Sequence, residues 1–179
     1  MRYLALALIL FLAACADEQF VQAPQVEATE RIRTSFSSIE VREVSLPSYA
    51  AGEEIAISTG GTITFANAFW ADDPTRAVTL SLARNLKEIT GARVASEPWP
   101  FEAFPAARVD VRIEELVVRE TTIELSGQYF VADQEGRGRD HAHLFNLDRP
   151  IAGLSAAEAG AGRAALIADL AREIAREAL

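Results

Sequence analysis

The 179-residue chain carries 17 basic and 26 acidic side chains, a net charge of −9, and half of its residues are hydrophobic. That length suits one globular domain rather than two, and the apolar fraction excludes a wholly disordered chain. The acid excess, with Lys87 as the sole lysine, argues against a surface built to neutralise phosphates, so no nucleic-acid partner is expected.

Residues 1–14 read as a lipoprotein signal peptide. Arg2 supplies the positive start, and Leu4 to Leu12 is an apolar run too short to span a bilayer core of about 30 Å. Leu12-Ala13-Ala14-Cys15 follows and resembles the bacterial lipobox, in which small residues precede a cysteine that becomes acylated. Cys15 is the only cysteine, so no intrachain disulfide can form and lipidation would use up the one thiol. Ala16, rather than an aspartate, follows Cys15, which resembles the sorting pattern of lipoproteins sent to the outer membrane, facing the periplasm. Residues 15–35 are expected to be the lipidated cysteine and a flexible tether, because Gln19, Gln22, Pro24 and Gln25 break any apolar period.

Residues 36–179 are expected to form a single domain. Ile39, Val41, Val44 and Leu46 give a strand signal stopped by Pro47, Ile55 and Ile57 a second strand, and Ile63 and Phe65 a third after the Gly60-Gly61 turn. Asp72-Asp73-Pro74 opens a helix whose apolar stripe of Val78, Leu82, Leu86 and Ile89 ends at Gly91. Leu80 falls on its opposite side, among Arg76, Arg84 and Lys87. A strand from Val94 leads into Pro98-Trp99-Pro100-Phe101 and Phe104-Pro105, too rich in proline for regular structure and too aromatic for a plain loop. Those rings either close the domain's own core or present a contact surface.

Two longer strands, 109–118 and 121–131, alternate apolar and polar residues around a tight connection near Arg119-Glu120. A last strand, Asp140 to Leu147, and a helix opened by the capping box Ser155-Ala156-Ala157-Glu158 complete the chain. Gly160 and Gly162 either weaken that helix or let it approach the sheet closely. This order predicts an α+β fold, a two-layer sandwich of a mostly antiparallel sheet with two helices on one face, similar to the N-terminal domain of TolB-like proteins.

Motifs for catalysis are missing: no phosphate-cradling loop, nucleophile elbow, dinucleotide glycine signature or H-E-x-x-H occurs. His141 and His143 share one strand face, and Asp72-Asp73 and Glu114-Glu115 are adjacent acids. The simpler reading makes the histidines exposed sheet residues and the acids a helix cap and a solvated edge. No enzyme activity, cofactor or metal is expected.

The lipobox, Val44-Ser45-Leu46-Pro47-Ser48-Tyr49, Phe69-Trp70-Ala71-Asp72 opening a helix that ends in Asn85-Leu86, Glu97-Pro98-Trp99-Pro100 and Val109-Asp110-Val111-Arg112-Ile113 resemble the auxiliary lipoproteins of ABC-type transport systems, of the paraquat-inducible protein C kind. The resemblance covers about residues 38–179. It departs at Ser58-Thr59, where the family tends to carry Thr-Arg. It implies a noncatalytic outer-membrane lipoprotein of a mammalian-cell-entry (MCE) type system that moves lipids or other hydrophobic molecules across the periplasm, forms homo-oligomeric rings and meets an MCE-domain protein. Trp99, Phe101, Phe104, Phe69, Trp70 and Leu80 are the expected contact residues, with the two aromatic groups at one end of the sheet. An envelope-assembly scaffold lipoprotein is the alternative.

Overall fold

A computed structural model describes residues 18–136, 138 and 140–179. Cys15 and the expected signal peptide lie outside them. The eight described strands form one sheet. Its spine is the hairpin of β6 (Ala107–Val118) and β7 (Thr122–Asp133), closed by the bond from Arg119 N–H to the Thr122 carbonyl. β8 (His141–Pro150) pairs antiparallel with β7 and is an edge strand.

The other edge of β6 is shared by two strands lying end to end. β2 (Ser38–Val41) pairs parallel with its first residues, and β3 (Glu54–Thr59) touches its last at Ile57 and Val118. Outside β2 lies β5 (Arg93–Ser96), parallel to it, and outside β3 lies β4 (Thr62–Trp70), antiparallel. Most registered pairs are antiparallel, as expected, with short parallel additions.

One turn of helix, α1 (Ser48–Ala51), follows Pro47, and two long helices supply the second layer. α2 (Pro74–Thr90) starts where Asp73 accepts the Arg76 N–H at 2.7 Å and stops at Gly91, whose φ of 71° lets its N–H reach the Lys87 carbonyl. α3 (Ala156–Glu177) is capped by Ser155, which accepts from the Glu158 N–H. Glu158 reaches back to the N–H of Ala152 rather than to that of Ser155. α2 covers β2 and β5, α3 covers β7 and β8, and the helices pack on each other. The core between the layers includes Leu82, Leu86, Val109, Leu125, Leu166, Leu170 and Ile174.

Three features correct or complete the sequence reading. The alternation of β6 breaks at a bulge between Ile113 and Glu115, which keeps Glu114 exposed and Glu115 only partly buried while Leu116 and Val118 turn inward. Opposite it stands Gly127 with φ of 156°, where a Cβ would run into the Arg112 carbonyl. Gly162 settles the choice between weakening and close approach, since a Cβ there would stand 2.5 Å from Ile123 Cγ2.

The third difference concerns the expected tether. Over its described part it is not free: β1 (Gln19–Val21) pairs parallel with β4, and the chain then follows the seam between α2 and α3. Glu30 pairs with Arg172 at 2.6 Å and Arg176 at 2.7 Å, Ile32 N–H donates to the Ile89 carbonyl, and Ser35 N–H donates to that of Leu179. Val21, Ala28, Ile32 and Phe36 pack on the core. Their spacing of seven, four and four residues would suit one face of a helix, yet residues 22–37 form none, so periodicity does not reveal how the segment docks.

Candidate functional surfaces

The proline-rich segment after β5 folds on itself. Trp99 Nε1–H donates to the Ala103 carbonyl at 2.7 Å, and the Phe101 ring meets Trp99 edge-on at 5.0 Å between centroids. The Arg93 guanidinium stands 5.3 Å from the centre of the Phe101 ring. None of these rings belongs to the core cluster, and Phe101 and Phe104 are 44% and 90% exposed. The rings stand outside the core, so the reading that they close it is corrected.

Phe69 and Trp70 lie elsewhere. Phe69 pairs with Glu54, near the last residues of β6, whereas Phe104 precedes its first. At about 3.3 Å per residue the two aromatic groups stand roughly 30 Å apart along the strand, so the expectation of one shared end is corrected. Phe69 is half-buried, 5.7 Å from the exposed Phe20. Trp70 is 7% exposed and belongs to the core, so it offers no surface to a partner. Its burial follows from β1, whose Val21 pairs beside it.

Leu80 is 40% exposed at the rim of a cavity of about 470 Å³ between residues 21–26, α2 and α3. Arg76, Arg84 and Arg163 line this cavity, with Asp72 as the one carboxylate. Arg163 escaped the sequence reading. It stands three and four residues before Leu166 and Ile167, on the apolar stripe of α3, and a cation in that stripe is the signal that could have found it. It is 4% exposed, its Nη1 has no hydrogen-bond partner among the described residues, and burial pushes it down to about 10, partly opposed by Asp72. Asp72 is itself engaged by Arg76.

His141 and His143 stack on each other at 5.9 Å, and His143 stacks on Tyr129 at 5.2 Å. Burial pushes the Tyr129 phenol up to about 12, with Glu173 and Glu177 adding to the shift. Asp72 and Asp73 serve the start of α2, where Asp73 caps the helix, and Glu114 accepts from Gln128 at 3.0 Å. Among the described residues no group of three or more His, Cys, Asp or Glu is arranged to hold a metal ion, and no helix is long and apolar enough to cross a membrane.

A family model described as the ABC-type transport auxiliary lipoprotein component matches residues 19–175. A crystal structure described as that of an uncharacterized protein superposes with a TM-score of 0.72 at 20% identity, covering 89% of this chain and 97% of that one. A protein from Xanthomonas campestris superposes with a TM-score of 0.66 at 14% identity, covering 87% and 92%. At such identities these two likenesses establish the fold alone. No curated relative matches the chain.

Proposed function

Because the chain belongs to the ABC-type transport auxiliary lipoprotein component family, we propose that it is a noncatalytic lipoprotein of an MCE-type system moving lipids or other hydrophobic molecules between the two membranes. It hangs from the outer membrane through Cys15, faces the periplasm and meets an MCE-domain protein. The observation that carries this reading is the extent of the family match, which takes in every strand and nearly all of α3.

The Trp99, Phe101 and Phe104 loop is the contact we assign to that partner. Its rings are exposed or half-buried outside the core, and an internal hydrogen bond holds the loop. Aromatic area presented at low conformational cost is the usual material of energetic centres in interfaces. Among the described residues the ten-residue edge strand β8 has one side unpaired, which suits pairing between copies in a cyclic oligomer.

Affinity capture of the chain from detergent-solubilised envelopes tests the reading. It should bring down the MCE-domain protein, and Trp99→Ala with Phe101→Ala should weaken that binding by more than about 1 kcal/mol, some fivefold. Capture of the chain without any MCE-domain protein would contradict the assignment.

A further inference from the structure

A lone buried guanidinium is costly. Removing an ion from water costs several kcal/mol even after relaxation, and partners must offset that cost. Arg163 has the Trp70 ring at 3.6 Å, while among the described residues its Nη1 lacks a hydrogen-bond partner and the cavity's one carboxylate, Asp72, is engaged by Arg76. Stacking on a desolvated ring returns only about 2 kcal/mol. The cavity it lines is cationic in a chain of net charge −9, with three arginines against one acid.

The remaining lining is largely apolar. Val21 and Val26 come from the segment crossing the seam, Val78 and Leu80 from α2, and Ile167 from α3. The volume of about 470 Å³ lies within the range of about 300–1,000 Å³ usual for small-molecule sites. A bare anion would leave that apolar surface uncovered, and a neutral hydrocarbon would leave Nη1 unpaired.

We propose that this cavity binds an anionic amphiphile, its carboxylate or phosphate head on Arg163 and its chain against Val21, Val26 and Leu80. The fork of guanidinium donors matches either head group, and Arg84 at the same cavity adds positive charge toward its mouth. The site needs no MCE partner, so it stands or falls separately from the function proposed above.

The test uses the chain begun at residue 15 and carrying Cys15→Ser, which needs no detergent and keeps every described element from β1 to α3. Titration calorimetry compares dodecyl phosphate, dodecanoate, dodecanol, dodecyltrimethylammonium and inorganic phosphate, all below micelle formation. Dodecyl phosphate or dodecanoate should bind at least tenfold more tightly than dodecanol, the cationic amphiphile or inorganic phosphate. Arg163→Met should lose at least tenfold in affinity while its ligand-free melting temperature holds or rises, because an uncompensated buried charge has been removed. Dodecanol or inorganic phosphate binding as tightly as dodecyl phosphate overturns the proposal, as does full affinity in Arg163→Met. Should that variant fail to fold, the wild-type ligand series decides by itself.

Discussion

The guanidinium carbon of Arg163 lies 3.6 Å from the centre of the Trp70 ring, joining the start of the second long helix to the end of β4. Trp70 is thereby a floor beneath a buried cation, packed in the core. Trp70→Ala should cost about 3–5 kcal/mol of stability, whereas Phe104→Ala, at a residue 90% exposed, should stay within about 0.5 kcal/mol of the wild type. Urea unfolding of the two variants measures both, and similar losses would contradict the placement.

Gly162 makes a second stability prediction. A methyl group there gains roughly 1 kcal/mol of helix propensity, yet it would stand 2.5 Å from Ile123 Cγ2 and 3.4 Å from Ile151 Cγ2. Both side chains are buried, so overpacking of about 1–3 kcal/mol should win. Gly162→Ala is expected to lower the melting temperature, and a rise would show that the helix can lift off the sheet.

The helix stops, the places of most strands along the chain and most of the core were legible because each rests on a short local rule. Asp73, Pro74 and Gly91 bound α2, Ser155 begins α3, and the stripe of Val78, Leu82, Leu86 and Ile89 is buried. The site was less legible. The docking of residues 19–35 depends on long-range partners such as Glu30 with Arg172, and the fate of Trp70 depends on β1 arriving beside it. No local period in the sequence names those partners. The bulge at Ile113 to Glu115 was written as two adjacent acids in an alternating strand, a departure that the simple two-residue period hides.

Acid titration probes the junction of α3 with β7 and β8. Burial raises Glu173 above the usual carboxylate value, Glu177 adds to the rise and His143 opposes it. A raised carboxylate stabilises the fold while protonated, below its unfolded value of 4.5, and that contribution is lost as pH climbs through the higher folded value. Glu173→Gln should therefore be more stable than the wild type at pH 7, with the gap closing toward pH 4. Denaturant midpoints at the two pH values check it, and a gap that widens in acid would contradict the sign.

β1 begins at Gln19, four residues after Cys15, so an acylated Cys15 would hold the domain within about 15 Å of the bilayer. Cys15→Ala should leave the fold intact and release the chain from membranes in fractionation. Unchanged membrane association, with the domain still folded, would contradict the anchor.

The most direct test of the transport reading is photocrosslinking in intact cells, with benzoylphenylalanine replacing Phe104 at the tip of the aromatic loop. The account predicts a covalent adduct with the MCE-domain protein, absent when the photoreactive residue is placed instead at the exposed Glu120, in the turn at the opposite end of the β6–β7 hairpin. Adducts at Phe104 only with other proteins, or equal MCE adducts from both positions, would contradict it.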